Sequence, residues 1–342
     1  MPVIAVDEIR RLAERALERS GVPAANASVQ VDLWLDAELR GIPSHGLLRL
    51  DRIVERISAG LADPQTTGSH HWQGSAYLVV DGQQGLGPIV ANAALDALQL
   101  RARQTGIAIA AIANAQHIGM LAWYAERIAK SGQAVIVLST SEALVHPWGG
   151  RKALLGTNPI AIGVPTGEAE PFVMDTATSL VSMGEIHDRA NRGEAIPAGW
   201  ALDADGNPTT DAVAAKSGAI APFGQAKGYA LGLAFELLVA SLSGSALGND
   251  VHGTLDAEHL CNKGDVFIVI DGPRTAGLAA YLDLIRAAEP AEGFDAVIVP
   301  GERGRAARSR RLRDGIPIAD TVWAQLQELA QGTTTLQPQA AS

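Results

Sequence analysis

Apolar residues in the first sixty positions recur at intervals of three and four. Ile9, Leu12, Ala13, Ala16 and Leu17 make one helical stripe, with Asp7 placed to cap it and Gly21 to stop it. Val29, Leu33, Trp34 and Ala37 make a second, ending near Gly41, and Pro43 breaks the chain beyond it. Leu47, Leu50, Ile53, Val54 and Ile57 predict a third helix that closes at Gly60. From there the texture changes. Short β-prone runs at 77–80, 107–112, 134–138, 160–164, 172–174, 266–270 and 296–299 alternate with helical stretches at 88–104, 121–131, 227–242 and 274–287. Alternation of this kind marks an α/β protein, and by itself favours a parallel, doubly wound sheet.

One motif bears on that choice. Gly85-Leu86-Gly87-Pro88-Ile89-Val90 follows a strand-like run and opens a helix, as a dinucleotide-binding fingerprint does. Its third glycine position is Val90, where a side chain obstructs the close helix–strand packing that glycine permits. A turn that starts a helix at Pro88 is the plainer reading.

Composition adds limits. The 342 residues suffice for a sizeable core, and 47% hydrophobic with 19% charged residues is a globular balance. A net charge of −10 argues against nucleic acid as a partner. The one cysteine, Cys261, excludes an internal disulfide and suits a reducing cytoplasm. The N-terminus lacks a basic, then apolar, signal pattern, and no window approaches ~18 uninterrupted apolar residues, so no membrane attachment is expected. The Gln, Thr, Pro, Ala and Ser of the tail predict a flexible terminus over 333–342.

Candidate chemistry concentrates in a few segments. His45 and His117 are the candidate proton donors, because imidazole titrates near neutral pH. Arg49 follows His45 by four residues, so on one helix the two share a face and could set a carboxylate clamp beside an acid. A helix cap and a surface ion pair are the bland readings of the same residues. Asp175, at the end of a β-run, could orient a histidine. Gly156-Thr157-Asn158-Pro159 and Thr176-Ala177-Thr178-Ser179 are polar loops suited to a pyrophosphate or an amide. Lys227-Gly228 opens an apolar helix, where a lysine is unfavourable unless an anion sits there; a side chain snorkelling to solvent is the alternative. Arg303, Arg305, Arg308, Arg310, Arg311 and Arg313 form the one basic cluster of an acidic chain. They read either as a solvated helix face or as a phosphate site. No metal-ligand spacing occurs, since His70 and His71 are adjacent and no H-E-x-x-H is present. A serine-hydrolase elbow is absent too.

Taken in order, Ser44-His45-Gly46 with Arg49, Asn114-Ala115-Gln116-His117-Ile118-Gly119, Gly156-Thr157-Asn158-Pro159 and Met174-Asp175-Thr176-Ala177-Thr178-Ser179 resemble the malate/L-lactate/ureidoglycolate dehydrogenase family, NAD(P)-dependent oxidoreductases of 2-oxo, 2-hydroxy or 2-imino acids. The resemblance spans roughly residues 5 to 330. It implies an α/β fold whose dinucleotide site is not a Rossmann domain, with a predominantly antiparallel mixed sheet over 71–302. It also implies an N-terminal helical region, 1–70, carrying Ser44, His45 and Arg49 and packed with C-terminal helices at 303–332. Members resembling piperideine-carboxylate reductase imply a relay of Ser44, His45 and Asp175. Members resembling ureidoglycolate dehydrogenase give the acid/base role to His117. Cofactor contacts are implied at Ser141, Gly156, Thr157, Asn158, Asp175, Thr176, Ala177, Lys227, Gly228, Gly301 and Glu302. Arg303 joins them as a candidate for a 2′-phosphate, which favours NADP over NAD, although Glu302 suits the ribose hydroxyl of NAD.

The expected activity is hydride transfer to or from a small 2-oxo or 2-hydroxy acid, in a homodimer. Reduction of a cyclic imino acid is the alternative, and a non-catalytic binder on the same scaffold a third. Departures from the family pattern fall at Ile53, where relatives carry an aromatic residue, at Asp51, at Gly184-Glu185 and in the compact 243–262 stretch. Those at Ile53 and 243–262 are expected to reshape the substrate pocket.

Overall fold

The computed structural model describes residues 1–273 and 276–332. Strand β1 (Val3–Ile4) leads into α1 (Val6–Arg19) and α2 (Ala24–Arg40). Ile9, Ala13, Ala16 and Leu17 form the buried stripe of α1. The cap differs from expectation: Ala5 precedes the helix without a side-chain bond, and Asp7 lies in the first turn, where the helix dipole favours a carboxylate. Gly41 ends α2 in the left-handed conformation, φ 81°.

The predicted third helix splits. Pro43–His45 and Leu47–Arg49 are separate 3-10 turns joined at Gly46, and only α3 (Leu50–Ser58) is α-helical. Glu38 is the cause. Its buried carboxylate accepts Leu47 N–H at 2.9 Å and fills the space that a Cβ at Gly46 would take.

Next come β2 (Ser69–Gln73), β3 (Tyr77–Asp81), α4 (Gly87–Thr105), β4 (Ile107–Ala113), α5 (Leu121–Lys130), β5 (Ala134–Ser139), β6 (Ile160–Val164) and β7 (Phe172–Thr176). A small unit follows, of α6 (Met183–Arg192), β8 (Ala201–Leu202), β9 (Pro208–Thr209), α7 (Ala212–Ala215) and β10 (Ala219–Ile220), around its own cluster of Ile186, Ile196 and Ile220. The chain returns through α8 (Ala226–Ser243), β11 (Gly264–Ile270), α9 (Leu278–Arg286), α10 (Glu302–Asp314), β12 (Ile316–Pro317) and α11 (Asp320–Gln331).

The seven-stranded sheet runs β2-β3-β4-β11-β5-β6-β7. Only β3 and β4, joined by α4, pair in parallel; every other neighbour is antiparallel. The late strand β11 inserts between β4 and β5 and forces both to run against it, so strand–helix alternation in sequence does not become a doubly wound sheet. Pleating sorts side chains to two faces. Ala108, Ala110, Ile112, Val135, Val137, Phe267 and Val269 join α1, α2, α4 and α5 in the main core, while Ala111, Leu138 and Val266 meet α8 on the other side.

Gly87 begins α4 because a Cβ there would strike the carbonyls of Gln116 and His117. The glycine pair thus serves close packing under the His117 loop. The run at 296–299 is not a strand: it finds no edge to join, and Val299 N–H is taken by the Glu302 carboxylate at 2.9 Å. Of the helix predicted at 274–287, α9 realises 278–286; Arg274 and Thr275 lie outside the described residues, as does the predicted flexible tail at 333–342.

Among the described residues α8 is the one helix long and apolar enough to cross a membrane by length and composition. Here it packs on the sheet and carries a buried carboxylate, Glu236. The C-terminal helices close over the N-terminal ones. Arg308 of α10 pairs with Asp36 of α2 at 2.9 Å, Arg311 donates to Glu38 O, and β12 pairs with β1.

Candidate active site

Two loops bring the histidines together. The tight turn after α2 presents Ser44 and His45, whose Oγ and Nδ1 lie 3.0 Å apart. The loop after β4 presents His117, and its ring stands 5.4 Å from that of His45, tilted by 40°. Gly119 N–H donates to His117 Nδ1 at 3.1 Å. That bond assigns the proton of the neutral ring to Nε2 and leaves Nε2 free to face a ligand. Gly119 has φ 76° and leaves no room for a Cβ against Leu33, so the loop is held to α2.

Arg49 arrives by a different route from the one predicted. It does not share a helix with His45; it lies in the second 3-10 turn, and its Nε donates to Ser44 O at 2.8 Å. Its terminal nitrogens have no hydrogen-bonded acid among the described residues. Burial pushes His45 down to about 4, and the Arg49 charge adds to the effect. His117 falls well below the ordinary imidazole range through burial, then Arg49, His45 and Lys263. Both rings are only half-buried, so they line an opening rather than a sealed core. Lys263 lies below, paired with Asp265 at 2.6 Å, and Ser139 Oγ donates to the same carboxylate at 2.6 Å.

Asp175 is placed elsewhere than at a histidine. Its Oδ2 accepts Ala122 N–H at 2.7 Å, at the start of α5, and no hydrogen bond among the described residues joins it to His45. Crowding by protein pushes this carboxyl up to about 6, against the α5 backbone donors and Arg40. The side chain still meets solvent, which moderates that shift.

The expected cofactor residues fall into separate groups. Thr157 N–H donates to Ser141 Oγ at 2.9 Å, and Thr178 Oγ1 donates to Thr157 O at 2.9 Å. Asn158 is wholly buried, with φ 36°. Its Nδ2 donates to Glu236 at 2.6 Å, while its Oδ1 has no partner. Glu236 also accepts Gly156 N–H at 3.2 Å and Gly248 N–H at 2.7 Å. Asn158 is therefore a strut of the loop rather than an open donor.

Thr176 is exposed beside Ala177, and Lys227 is exposed in the first turn of α8 with no partner among the described residues. Gly228 is fixed by packing, since a Cβ would overlap Phe223 O. Gly301, at φ 90°, precedes α10 and abuts Val173 O. Glu302 is committed to Arg286 at 2.6 Å and to Val299 N–H. Of the basic run, Arg308 and Arg311 dock α10, and Arg305 leans 3.5 Å from Pro171 O. Arg303 is exposed, with no bond to the histidines or to Lys227.

Several supporting residues were not anticipated: Glu38, Glu236, the Lys263–Asp265 pair, and Arg56 with Gln116. A lone carboxylate inside the apolar run 226–243 was the available signal for Glu236. For Glu38 no local signal exists.

The chain matches the family model described as malate/L-lactate dehydrogenase over residues 4–327. It is 35% identical over 327 residues to the L-sulfolactate dehydrogenase of Methanocaldococcus jannaschii, covering 94% of each chain. It is 34% identical to a Delta(1)-pyrroline-2-carboxylate/Delta(1)-piperideine-2-carboxylate reductase of Pseudomonas aeruginosa, covering 95% of this chain and 98% of that one. The crystal structure of a dehydrogenase from Sinorhizobium meliloti superposes with a TM-score of 0.93 at 51% identity, covering 96% of this chain and 98% of that one.

A pH dependence follows from the two rings. His45 is depressed to about 4 in the fold, against an ordinary value of 6.5. As pH falls through 6.5 the unfolded chain takes up a proton that the folded ring refuses, so this residue's contribution to stability is lost between about 6.5 and 4. Urea denaturation at stepped pH should show that slope in the wild type and a shallower one in His45→Gln. Equal slopes would mean that His45 titrates normally in the fold.

Proposed function

The chain belongs to the malate/L-lactate dehydrogenase family, and from that footing we propose that the Ser44–His45–Arg49–His117 cleft is the active site of an NAD(P)-dependent oxidoreductase of small 2-oxo or 2-hydroxy acids. One observation carries the assignment: two neutral imidazoles beside a guanidinium whose terminal donors lack an acid. A largely desolvated guanidinium with no acid in hydrogen-bond reach, and only the field of Glu142 acting on it, is better satisfied when a ligand brings one. The substrate carboxylate is that ligand, held by the planar fork of Arg49.

Burial is the main reason that His117 resists protonation, and docking the carboxylate offsets only the part that Arg49 adds, which makes protonation of the ring easier than in the free cleft. A nicotinamide nucleotide supplies the hydride. His117 Nε2 then gives its proton to the C2 oxygen of a 2-oxo acid, or to the nitrogen of an imine; in oxidation it takes the proton back. Ser44 holds His45 against this pair, and Asp175 acts by fixing the start of α5.

The polar loops fit such a nucleotide. Thr176, the Ser141–Thr157 pair and the unpartnered Lys227 at the positive end of α8 offer donors suited to an amide and a phosphate. For the adenosine end NADP is favoured. Glu302 is already neutralised by Arg286, so it does not repel a 2′-phosphate, and Arg303 stands exposed beside it.

We also propose a homodimer. Leu231, Leu237 and Leu238 are 39%, 52% and 42% exposed on α8, apolar side chains that a second copy could cover. The pyrroline/piperideine-carboxylate reductase among the relatives keeps cyclic imines as the second substrate class to be assayed.

Three measurements test these assignments. A panel of 2-oxo and imino acids, followed by loss of reduced-nicotinamide absorbance, should show turnover that falls ~10²–10⁴-fold in kcat/KM for His117→Ala, with cofactor binding intact. A loss under about fivefold rules out the acid role for that residue. Arg303→Ala should weaken NADPH, and leave NADH unchanged, by ~10-fold or more, as befits a charge-assisted bond. Unchanged NADPH affinity removes Arg303 from the site. Sedimentation velocity should give a dimer that Leu238→Glu dissociates, and a monomeric wild type ends the dimer proposal.

A further inference from the structure

Between α8 and β11 the chain makes a loop closed at its neck. His252 N–H donates to Asn262 Oδ1 at 2.8 Å, and Asn262 Nδ2 donates to Asp250 O at 2.8 Å. Gln84 holds Cys261 from both sides, accepting its N–H at 2.9 Å and donating to its carbonyl at 3.0 Å. Loops of this closed-neck form are compact and often functional. The tip folds onto Asp256, whose carboxylate accepts the N–H groups of Gly253, Glu258 and His259. Little apolar surface holds the tip down, since Leu255 and Leu260 are 46% and 55% exposed. Yet Gly253 and Thr254 line the cleft beside Arg49 and His117.

Two side chains from the body reach that tip. Arg56 of α3 donates to Asp256 O at 2.8 Å. Glu142, in the loop after β5, does more. Its Oε1 accepts Thr254 N–H at 2.7 Å, Thr254 Oγ1–H at 3.0 Å and Leu255 N–H at 3.0 Å. Thr254 is 7% exposed, so without that carboxylate both of its donors would be buried and lose their acceptor. Glu142 also follows Ser141 directly. Ser141 Oγ accepts Thr157 N–H at 2.9 Å and lies 3.1 Å from Glu142 O. The polar pair suited to a nucleotide and the latch on the cleft wall are therefore adjacent residues of one short segment.

We infer that Glu142 is a positioning residue of the proposed reaction: it latches the 252–262 loop so that Gly253 and Thr254 complete the cleft wall, and a nucleotide seated on Ser141 and Thr157 tightens that latch. The inference rests on the active-site assignment above for what the cleft and the polar pair bind. Glu142 acts through Thr254, keeping the wall closed against water once the nucleotide is in place. Arg56 grips the other side of the tip, and Gln84 and Asn262 grip the neck, so loss of Glu142 frees the cleft-facing side and leaves the rest of the loop anchored. A glutamine at the same position keeps an acceptor for the three donors and loses only the charge that strengthens them.

Kinetics test the latch first. Glu142→Ala should raise the KM of a reduced 2-oxo acid ~10-fold or more, the scale of hydrogen bonds to a charged group, while kcat stays within about threefold and NADPH affinity without the acid within about twofold. Glu142→Gln should recover most of the loss. Thr254→Val, which removes one donor, should move KM in the same direction by less. A KM for Glu142→Ala within about twofold of the wild type, or a fall in kcat with KM unmoved, overturns the positioning role.

Hydrogen exchange over 252–262, followed by mass spectrometry with no substrate present, reads the latch directly. The segment should exchange faster in Glu142→Ala while peptides of β4 and β11 stay unchanged, and NADPH should slow it in the wild type but not in the variant. Equal exchange in both proteins, or wild-type exchange unmoved by NADPH, overturns the latch. The same measurement separates this inference from the one beneath it. If no acid or imine is turned over but NADPH slows the segment in a Glu142-dependent way, the latch stands and the assigned activity falls. If acids are reduced and the segment exchanges alike with and without Glu142, the activity stands and the latch falls.

Discussion

The arrangement of the molecule depends on one buried guanidinium. Arg40, at the end of α2, pairs with Asp36 at 2.7 Å and with Glu126 of α5, and both carboxylates are themselves mostly buried. Asp36 then reaches Arg308 of α10, and Glu126 reaches Lys130 at 2.6 Å. The network joins the N-terminal helices to the sheet layer and to the C-terminal helix. Burying such charges gains little net energy over an apolar core, but removing one partner costs roughly 3–5 kcal/mol. Register is what it secures. It fixes α2 relative to α5, and hence the Ser44–His45 turn relative to Asp175, which lies close enough to Arg40 to feel its charge.

On that base the cleft assembles from short-range constraints. Glu38 bends the chain at Gly46, Leu33 crowds Gly119, and Gly87 lets α4 press beneath His117. Each glycine is needed for close approach rather than for a special dihedral alone. The result is a pair of imidazoles beside a cation, with the His117 tautomer set by Gly119 N–H, held on three elements that are themselves packed. In the proposed reaction such preorganisation would leave little to rearrange when charge develops on the substrate.

The cleft is unevenly charged. Near the histidines it holds the two rings and the Arg49 guanidinium, and its wall also carries Arg52, paired with Glu55 at 2.9 Å, and Arg56, with Asp256 at 4.0 Å. A chain of net charge −10 thus gathers three guanidinium groups along one cleft. The arginines of α10 follow a different logic. Two of the six, Arg308 and Arg311, serve as docking bolts to α2, which explains part of a basic run that looks like a binding patch in the sequence.

The sequence by itself determined the helical stripes of α1 and α2 and nearly all strands of the large sheet, and the order of its motifs offered Ser44, His45, Arg49 and His117 as candidates for one site. These are local properties: periodicity follows from 3.6 and 2.0 residues per repeat, and motif order survives without coordinates. Tertiary structure alone decided the rest. Alternation cannot reveal that β11 inserts between β4 and β5, because pairing partners lie over a hundred residues apart. The β-prone run at 296–299 had the right residues but no free edge. His45 and Arg49 share a site through two turns that Glu38 bends, not through one helix. Asp175 serves the start of α5, and Arg56 is held by Gln116 and the Asp256 carbonyl, because of what surrounds them in space. Such balances of charge and burial are set by residues distant in the chain, and no local pattern encodes them.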